Sequence, residues 1–429
     1  MKKIQDRPVF LGGTPVLAKP LPPIHVVDRE EIAAITRVIN RGPLSGFAGV
    51  HSERFFGGEE VRAFEAEFSK KFKVKHAVSF NSATTALHGA IVALGIGPGD
   101  EVIVPPYTMS ASATAVLMNG AIPIFADIDE RTFCIDPKSV EKRITKYTKA
   151  VMAVNLLGQG ADFAALLPLA KKHKLAIIED NAQSPGATWR GKPLGTVGDI
   201  GVFSLNVHKA IQTGEGGILV TNNPIYALRA QLCRNHGEAV VDDMTDYDAG
   251  PIFGSNYRMT EVVAAMARVQ LRRLDFLTKK RVALAARLTK ALAQIPGLTP
   301  PFVHSGNTHV IHRYAIRVDE KKLGISRDRL VEAMAAEGFS MSRGYVKPIY
   351  LLKLFQERKA FNRTGFPFEK NTYYKGNPDY SKGLCPVTER MFEKEFTFTD
   401  VCQYPYTARH TDLFVAALKK IIAYKHELA

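Results

Sequence analysis

The sequence predicts an α/β protein in which a large domain with a mostly parallel sheet precedes a smaller α+β domain. Short apolar segments alternate with segments of helical periodicity from about residue 76 to about residue 235. That alternation is typical of a parallel sheet covered by helices on both faces. A long helical region over residues 259–293 follows, and beyond it strand and helix signals no longer alternate regularly. The change in pattern places a domain boundary near residues 255–295.

The elements of the first domain follow from apolar runs and from helical spacing. The first 25 residues, rich in Pro and Gly, are predicted to form an extended arm (residues 1–25). A large domain (26–255) and a connecting helical region (256–295) come next. Predicted strands in the large domain occupy residues 76–80, 101–104, 122–126, 149–154 and 175–178, and predicted helices occupy residues 84–94, 110–118 and 162–173.

Residues 296–429 are predicted to form the smaller α+β domain. They contain a predicted strand over residues 309–318 and a helix over residues 326–337 with Ser326 as its N-cap. A final helix is predicted over residues 411–427. Residues 342–380, rich in Pro, Tyr and Gly, are predicted to be a loop region.

The composition argues against several classes of protein. With 46% hydrophobic residues among 429, the chain can bury a large core. Its start lacks the apolar segment of a signal peptide, and no apolar run approaches the roughly 18 residues of a membrane helix. The four cysteines are scattered without a CxxC pair, which argues against a disulfide framework and a zinc site. The prediction is a cytoplasmic protein with reduced thiols and no metal site.

The chain is basic, with 57 Lys and Arg against 42 Asp and Glu, a net charge of +15. Basic side chains concentrate in residues 261–290, within the long helical region. Such a surplus can attract phosphorylated metabolites or nucleic acid, while a solvated helix face is the simpler interpretation.

Four polar segments stand at predicted strand ends or turns, and ligands of parallel sheets bind beyond the carboxyl ends of the strands. Residues 81–85 can offer a helix N-terminus to a phosphate, or form an ordinary N-cap. Residues 179–183 bring a carboxylate to a strand end, which could equally be a solvated end. Residues 199–217 hold Lys209 among Ser, Asn and Gly residues, as a candidate Schiff-base amine or a solvated lysine. Residues 254–259 lead into the long helix, and a polar helix cap is the alternative to a ligand-binding role for them.

Together the four segments match the needs of one cofactor, pyridoxal 5'-phosphate (PLP). PLP requires an amine, a carboxylate for its ring nitrogen, a partner for its ring oxygen and a cup for its phosphate. Lys209, Asp180, Gln183 and the turn 82–84 can supply these in that order. A contact between a carboxylate and a pyridinium at about 4 Å contributes on the order of 4 kcal/mol at an effective dielectric constant of about 20.

The chain resembles the DegT/StrS family of PLP-dependent aminotransferases, which act on keto sugars, usually nucleotide-linked, and on keto cyclitols. The resemblance extends over almost the whole chain. The combination of a KxIxTGEGG motif with an EDxAQxxGA motif is highly specific. The segments that carry it include NSATTAL (81–87), EDNAQSPGA (179–187), KAIQTGEGG (209–217) and NYRMTEVVAAMARVQL (256–271).

This resemblance implies PLP fold type I, the aspartate-aminotransferase-like fold, and a homodimer that shares its active site between subunits. Lys209 matches the Schiff-base lysine, which also moves the proton, and Asp180 matches the partner of the ring nitrogen. Gln183 matches the residue beside the ring oxygen, and Met109 stands where the family often stacks an aromatic side chain on the ring. No role is assigned to Asn155, where many members have His. The residues that match phosphate ligands are Ser82, Ala83, Thr84, Ser204 and, from the neighbouring subunit, Asn256.

The resemblance therefore predicts a ping-pong transamination from glutamate or glutamine to a keto sugar or keto cyclitol. One alternative is a PLP- or PMP-dependent sugar dehydratase of the same fold, although a histidine replaces the lysine in those enzymes. Another is a non-catalytic regulatory or nucleic-acid-binding relative, for which the sequence contains no known nucleic-acid motif. Residues 240–252 and 342–380 are expected to shape the substrate pocket, with His312, Tyr314 and Tyr345 as candidates.

Overall fold

The computed structural model describes residues 7–243, 249–361 and 363–428. Parts of three predicted segments lie outside the described residues: the start of the arm, residues 244–248 of the 240–252 loop and residue 362 of the 342–380 loop. Within the described ranges, every helix is too short or too polar to span a bilayer.

A seven-stranded sheet forms the centre of the N-terminal part. Its strands are β1 (His76–Phe80), β2 (Glu101–Val104), β3 (Ile122–Phe125), β4 (Thr148–Val154), β5 (Ala176–Asp180), β8 (Ile200–Ser204) and β9 (Gly217–Thr221). The spatial order is β1-β9-β8-β5-β4-β2-β3, and only β9 runs against its neighbours. Six strands therefore end at one edge of the sheet. A hairpin of β6 (Thr188–Trp189) and β7 (Lys192–Pro193) lies between β5 and β8 in the chain.

Helices surround this sheet, and several begin at capping residues, which satisfy free backbone N–H groups. Asp28 and Glu31 form a capping box at the first helix, and Ser82, Asp162 and Thr260 cap three others. The helices are α1 (Arg29–Arg41), α2 (Glu59–Phe72), α3 (Ala83–Ala93), α4 (Ala111–Met118), α5 (Pro137–Glu141), α6 (Phe163–His173), α7 (Pro224–Arg234) and α8 (Glu261–Leu292).

The long helical region is a single helix, α8, of 32 residues. Its first half packs Leu271, Leu274 and Leu277 with α2 against β8 and β9. Its second half packs Leu284 and Leu288 into the core of the C-terminal part. The helix therefore joins two hydrophobic cores.

The C-terminal part contains an antiparallel sheet of β10 (Leu298–Thr299), β11 (Tyr314–Val318) and β12 (Phe396–Thr399). The helices are α9 (Glu320–Leu323), α10 (Arg327–Ala336), α11 (Lys353–Gln356), α12 (Pro386–Arg390), α13 (Ala408–Ile422) and α14 (Lys425–Leu428). The core of this part is shared by the sheet, α8, α10 and α13.

The strand predicted over residues 309–318 is confined to β11, because the preceding residues cross to the large sheet. The N–H groups of Val310 and His312 donate to the carbonyls of Gly158 and Leu157, at 2.8 Å each. Ile311 between them has a φ of 55°, which is incompatible with a continuous strand. This crossing brings the start of β11 to the carboxyl edge of the large sheet.

The loop region 342–380 divides into two parts. Its beginning lies at the carboxyl edge, where the Ile349 N–H donates to the Pro106 carbonyl at 3.0 Å. Farther on, the hydroxyl of Tyr380 donates to the Pro123 carbonyl of β3 at 2.8 Å. The Tyr374 hydroxyl donates to Glu101, the first residue of β2, at 2.6 Å. The second part of the region therefore packs on β2 and β3 of its own chain, away from the carboxyl edge.

The described part of the arm runs along the C-terminal part of the chain. The carboxylate of Glu337, at the end of α10, accepts from the N–H groups of Val9 at 3.0 Å and Val16 at 2.9 Å. Lys420 of α13 pairs with the same carboxylate at 3.0 Å. Glu337 is fully buried, so one carboxylate joins the arm to two helices.

Most basic side chains of residues 261–290 have partners within the chain. Arg268 pairs with Glu60 and Glu67 of α2, at 2.7 and 2.6 Å. Arg287 pairs with Asp412 of α13 at 2.5 Å. Much of this positive charge therefore joins α8 to neighbouring helices, which differs from the simpler interpretation of a solvated helix face.

Candidate active site

The turn between β1 and α3 lies at the carboxyl edge of the sheet. Ser82 caps α3, and its Oγ accepts from the Thr85 N–H at 3.2 Å. The first N–H groups of a helix have no partner within the helix, so this turn can bind an anion. A Cβ atom on Gly217 would lie 2.4 Å from the Ser82 carbonyl carbon and 2.5 Å from the Ala83 nitrogen. The start of β9 supports the turn from below, at a distance that only glycine permits.

Asp180 is the last residue of β5 and is 5% exposed. Its carboxylate accepts from Ser112 Oγ at 2.8 Å and from the Ala182 N–H at 3.2 Å. Burial raises the pKa of this carboxyl, while Ser112, Ala182 and the charge of Lys209 lower it. Among the described residues, no ion pair within 4.0 Å includes Asp180. The carboxylate is therefore a buried acceptor without a directly paired cation.

Lys209 follows β8 in a tight connection to β9. The Lys209 N–H donates to the Asn206 carbonyl at 2.9 Å, and the Thr213 N–H donates to the Leu205 carbonyl at 2.8 Å. Burial lowers the pKa of the Lys209 ammonium, the charge of Asp180 raises it, and the charge of Arg313 lowers it. No described side chain forms a hydrogen bond or ion pair with its Nζ. Ser204 ends β8 and is 5% exposed.

Gln183 connects the large sheet to the C-terminal part. Its Oε1 accepts from the Leu157 N–H at 2.8 Å, and its Nε2 donates to the Tyr345 hydroxyl at 2.9 Å. The Tyr345 N–H in turn donates to the Tyr107 hydroxyl at 2.9 Å. The structure thus brings Tyr345, a candidate pocket residue, next to a candidate cofactor residue.

The other two pocket candidates are His312 and Tyr314, and both are buried. His312 is 4% exposed, and burial together with the charges of Lys209 and Arg313 lowers its pKa well below the ordinary value. The side chain of Tyr314 turns away, because its hydroxyl shares a 2.8 Å hydrogen bond with Thr289 of α8. Tyr314 therefore belongs to the C-terminal core, and that candidate is wrong.

Met109 and Asn256 are both exposed. Met109 precedes α4 and is 60% exposed. Asn256 forms an isolated antiparallel bridge with Asn235. The next residue, Tyr257, accepts from the Asn81 N–H at 2.8 Å, so this segment lies beside the 82–84 turn of the same chain.

Two residues near the site, Ser112 and Arg313, were missed by sequence reasoning. Ser112 binds Asp180, and Arg313 lies near Lys209, yet neither belongs to a recognisable local pattern. Glu179 precedes Asp180 but faces the other way, where it accepts from the N–H groups of residues 195, 197 and 198. Asn155 donates to Glu179 at 3.0 Å and is fully buried, which gives this position a structural role.

These residues fit PLP. The buried Asp180 carboxylate can accept the protonated ring nitrogen, since it forms no ion pair with the residues that the structure describes. Within the same described ranges, the Lys209 amine has no partner that would compete with the cofactor aldehyde. The 82–84 turn presents a helix N-terminus, and Gly217, which has no Cβ, lets the start of β9 pack directly beneath the turn. The set of groups that the cofactor requires is thus present at one edge of the sheet.

Known proteins are similar to this chain in sequence and in fold. The profile of the DegT/DnrJ/EryC1/StrS aminotransferase family matches residues 48–376. GDP-perosamine synthase from Caulobacter vibrioides is 41% identical over 296 residues, which are 69% of this chain and 78% of that protein. L-glutamine:2-deoxy-scyllo-inosose aminotransferase from Streptoalloteichus tenebrarius is 34% identical over 438 aligned positions, which cover 98% of this chain and 99% of that protein.

A solved aminotransferase from Psychrobacter cryohalolentis has the same architecture. It is 30% identical, with a TM-score of 0.81, and the match covers 95% of this chain and 100% of that one. The predicted class, PLP fold type I, is confirmed by this match. The family profile, the identities and the shared fold agree, and the chain belongs to the DegT/DnrJ/EryC1/StrS aminotransferase family.

Proposed function

We propose that this aminotransferase moves an amino group from glutamate or glutamine to a keto sugar or a keto cyclitol, with PLP bound at the carboxyl edge of the large sheet. The observation that carries the proposal is the arrangement of Lys209, whose amine has no partner in the described part of the chain, near the buried carboxylate of Asp180. The names of the relatives support the two acceptor classes, since one is a perosamine synthase and one a scyllo-inosose aminotransferase.

The cofactor would be held from three sides. Asp180 would face the ring nitrogen, Gln183 the ring oxygen and Met109 the ring face. The turn of Ser82, Ala83 and Thr84 would bind the phosphate, together with Ser204 and with Asn256 of the partner subunit. When bound, PLP supplies an electron sink for the carbanion formed at the donor carbon.

Lys209 would carry the proton. A neutral amine is a base, and burial favours the neutral form of Lys209. The amine would take the proton from Cα of the amino donor and later return one during transfer to the acceptor. Asp180 must stay ionised meanwhile, and a protonated ring nitrogen beside it would favour that form by supplying the cation that it does not have.

A homodimer in the cytoplasm is part of the proposal. Exposed apolar side chains flank the site, with Met109 at 60%, Val207 at 54% and Phe253 at 75% exposure. A partner subunit that covers them would also bring its Asn256 to the phosphate. Sedimentation of the purified protein should give twice the mass of the chain.

The first test is the absorption spectrum of the PLP-loaded protein before and after addition of glutamate or glutamine. We expect the band of the lysine-bound cofactor to convert to that of the pyridoxamine form. Lys209→Ala should remain folded and lose turnover by several orders of magnitude, since the base and the attachment point are both absent. Lys290→Ala, an exposed lysine of α8, serves as the control. Substantial turnover by Lys209→Ala would contradict the proposal.

A further inference from the structure

A cavity of about 620 Å³ lies between the middle of α8, the strand β6 and residues 301–311, and none of the candidate site residues lines it. Its size is typical of pockets that bind small organic molecules. Two large apolar side chains of its wall, Val282 and Val303, are 41% and 37% exposed, so the cavity is open to solvent on their side. The other apolar residues of the wall include Ala285, Ala286, Pro301 and Val310.

Two polar side chains of the wall contain a buried atom without a hydrogen-bond partner among the described residues. These atoms are Thr278 Oγ1 and His309 Nε2. The Ile311 N–H donates to the other ring nitrogen of His309, Nδ1, at 2.9 Å, so the neutral ring carries its proton on Nε2. Burial lowers the pKa of His309 to about 3, which keeps the ring neutral. The wall therefore contains an unused N–H donor and an unused hydroxyl, and buried polar groups of this kind are unfavourable without a partner.

The charges around the cavity favour an uncharged occupant. Among the described residues that line it, only Asp275 and Lys279 are charged, and these two are exposed and opposite in sign. The Asp275 carboxylate already pairs with Lys71 of α2 at 2.9 Å. An ion that entered the apolar part of the cavity would lose its hydration without gaining a counterion there. An uncharged molecule with one oxygen would avoid this cost and could use the two unpartnered polar atoms.

Backbone hydrogen bonds join the wall of the cavity to the candidate active site. Residues 309–311 line the cavity, and the N–H of the next residue, His312, donates to the Leu157 carbonyl at 2.8 Å. The Leu157 N–H in turn donates to Gln183 Oε1 at 2.8 Å. A molecule that fixes this wall would therefore also act on the position of Gln183.

We propose that this cavity is an effector site, which binds an uncharged alcohol or ketone with a large hydrocarbon body. The oxygen of the ligand would accept from His309 Nε2 and share a hydrogen bond with the Thr278 hydroxyl, while its hydrocarbon body would cover Val282 and Val303. The bound molecule would fix residues 309–312 and thereby change the rate of the first half-reaction. Binding at the cavity is independent of the proposed function, whereas the effect on the rate rests on it.

The first test measures binding to the PLP-loaded enzyme with two probes. Trp189 is the only tryptophan of the chain and follows Thr188, which lines the cavity, so its emission reports on this region. The probes are borneol, a bicyclic alcohol, and camphor-10-sulfonate, an anion with the same carbon skeleton, and calorimetry measures both affinities independently of the emission. We expect saturable binding of borneol and binding of the sulfonate that is weaker by about tenfold or more. Equal affinities would overturn the choice of an uncharged ligand. Absence of saturable borneol binding would overturn the proposal, and is the result expected if another subunit covers the cavity.

Variants of α8 then locate the bound probe. Ala286 lines the cavity and is exposed, so Ala286→Phe should fill the cavity without disturbing a core, and should abolish borneol binding. Ala283→Phe is the matched control, since this alanine is exposed on the same helix and does not line the cavity. Thr278→Val preserves the shape of the side chain and should weaken borneol binding about fivefold, because the hydroxyl is lost. Borneol binding that is unchanged in Ala286→Phe would show that the probe binds elsewhere, and would overturn the proposal.

The effect on the reaction is measured as the rate of conversion to the pyridoxamine form by glutamate or glutamine, with and without saturating borneol. We expect a change of about fivefold in the wild type and in Ala283→Phe, and no change in Ala286→Phe. An equal rate with and without bound borneol would overturn the effector role. Failure of the wild type to react with either amino acid would contradict the proposed function instead, while the binding measurements would still test the cavity.

Discussion

At the scale of single residues, the candidate site depends on two buried groups that form no direct ion pair among the residues the structure describes. Asp180 is a buried carboxylate whose hydrogen bonds come from a hydroxyl and a backbone N–H rather than from a cation. Lys209 is an amine without a described partner. Burial disfavours both charged forms, and a cofactor that offers a cation to one and an aldehyde to the other removes both costs.

Asp180→Asn tests the charge and preserves the shape. Asparagine can keep one hydrogen bond of each polarity, so the fold and the melting temperature should change little. The negative charge at the ring nitrogen is lost, and at about 4 kcal/mol this corresponds to a fall in kcat on the order of 1,000-fold. Steady-state kinetics and thermal unfolding are the measurements, with the exposed Asp275→Asn as control. Wild-type turnover in Asp180→Asn would remove this residue from the mechanism.

At the scale of elements, the site exists because strand ends and a helix start meet at one edge of the sheet. Asp180 ends β5, Ser204 ends β8 and Ser82 precedes α3. β9 begins at the same edge because it alone runs in the opposite direction. The closeness of β9 to the 82–84 turn is what requires a glycine at its first residue.

Gly217→Ala should separate β9 from the turn, since the new Cβ would lie 2.4 Å from a backbone carbon. No side-chain motion can relieve that clash. Overpacking of this kind costs about 1–3 kcal/mol. We expect Gly217→Ala to unfold at a lower urea concentration than the wild type and, because the turn moves, to bind PLP more weakly. Gly49→Ala has no neighbouring atom within 4 Å and is the matched control. Equal PLP affinity in the two variants would show that the turn does not hold the phosphate.

Sequence reasoning identified elements whose pattern is local. The bounds of β1 and β2 agree with the prediction residue by residue, because each is a short, mostly apolar segment that stands out from its neighbours in the sequence. The strand over 309–318 was predicted too long, since Ile311 and its neighbours bond to a distant turn instead. Ser112 and Arg313 could not be predicted from the sequence as residues near the site, because each is placed there only by contacts with residues that are distant in the chain.

At the scale of the whole molecule, buried ion pairs join parts that are distant in sequence. Glu337 is the clearest case, since one buried carboxylate binds the arm, α10 and α13. The salt bridge with Lys420 also makes the arm part of the folded unit, because the Lys420 Nζ contacts the carbonyl of Thr14 in the arm.

Glu337→Ala should release the arm and leave Lys420 without its partner. Removal of one member of a buried pair costs about 3–5 kcal/mol. The expected result is a lower melting temperature together with rapid cleavage of the arm in limited proteolysis, followed by mass spectrometry. Glu332→Ala is the control, since its carboxylate is 42% exposed and pairs with surface arginines. An arm that stays protected in Glu337→Ala would show that other contacts hold it.

The second part of the 342–380 region has a consequence for behaviour at high concentration. β3 is the last strand of the sheet order, and a bare edge strand offers backbone groups with which another molecule can pair. Here Tyr380 occupies the Pro123 carbonyl, and Phe355 packs 5.2 Å from Phe125 between ring centroids. These residues lie away from the candidate active site and block the pairing of β3 with a strand from a neighbouring molecule. They therefore help to protect the enzyme from aggregation.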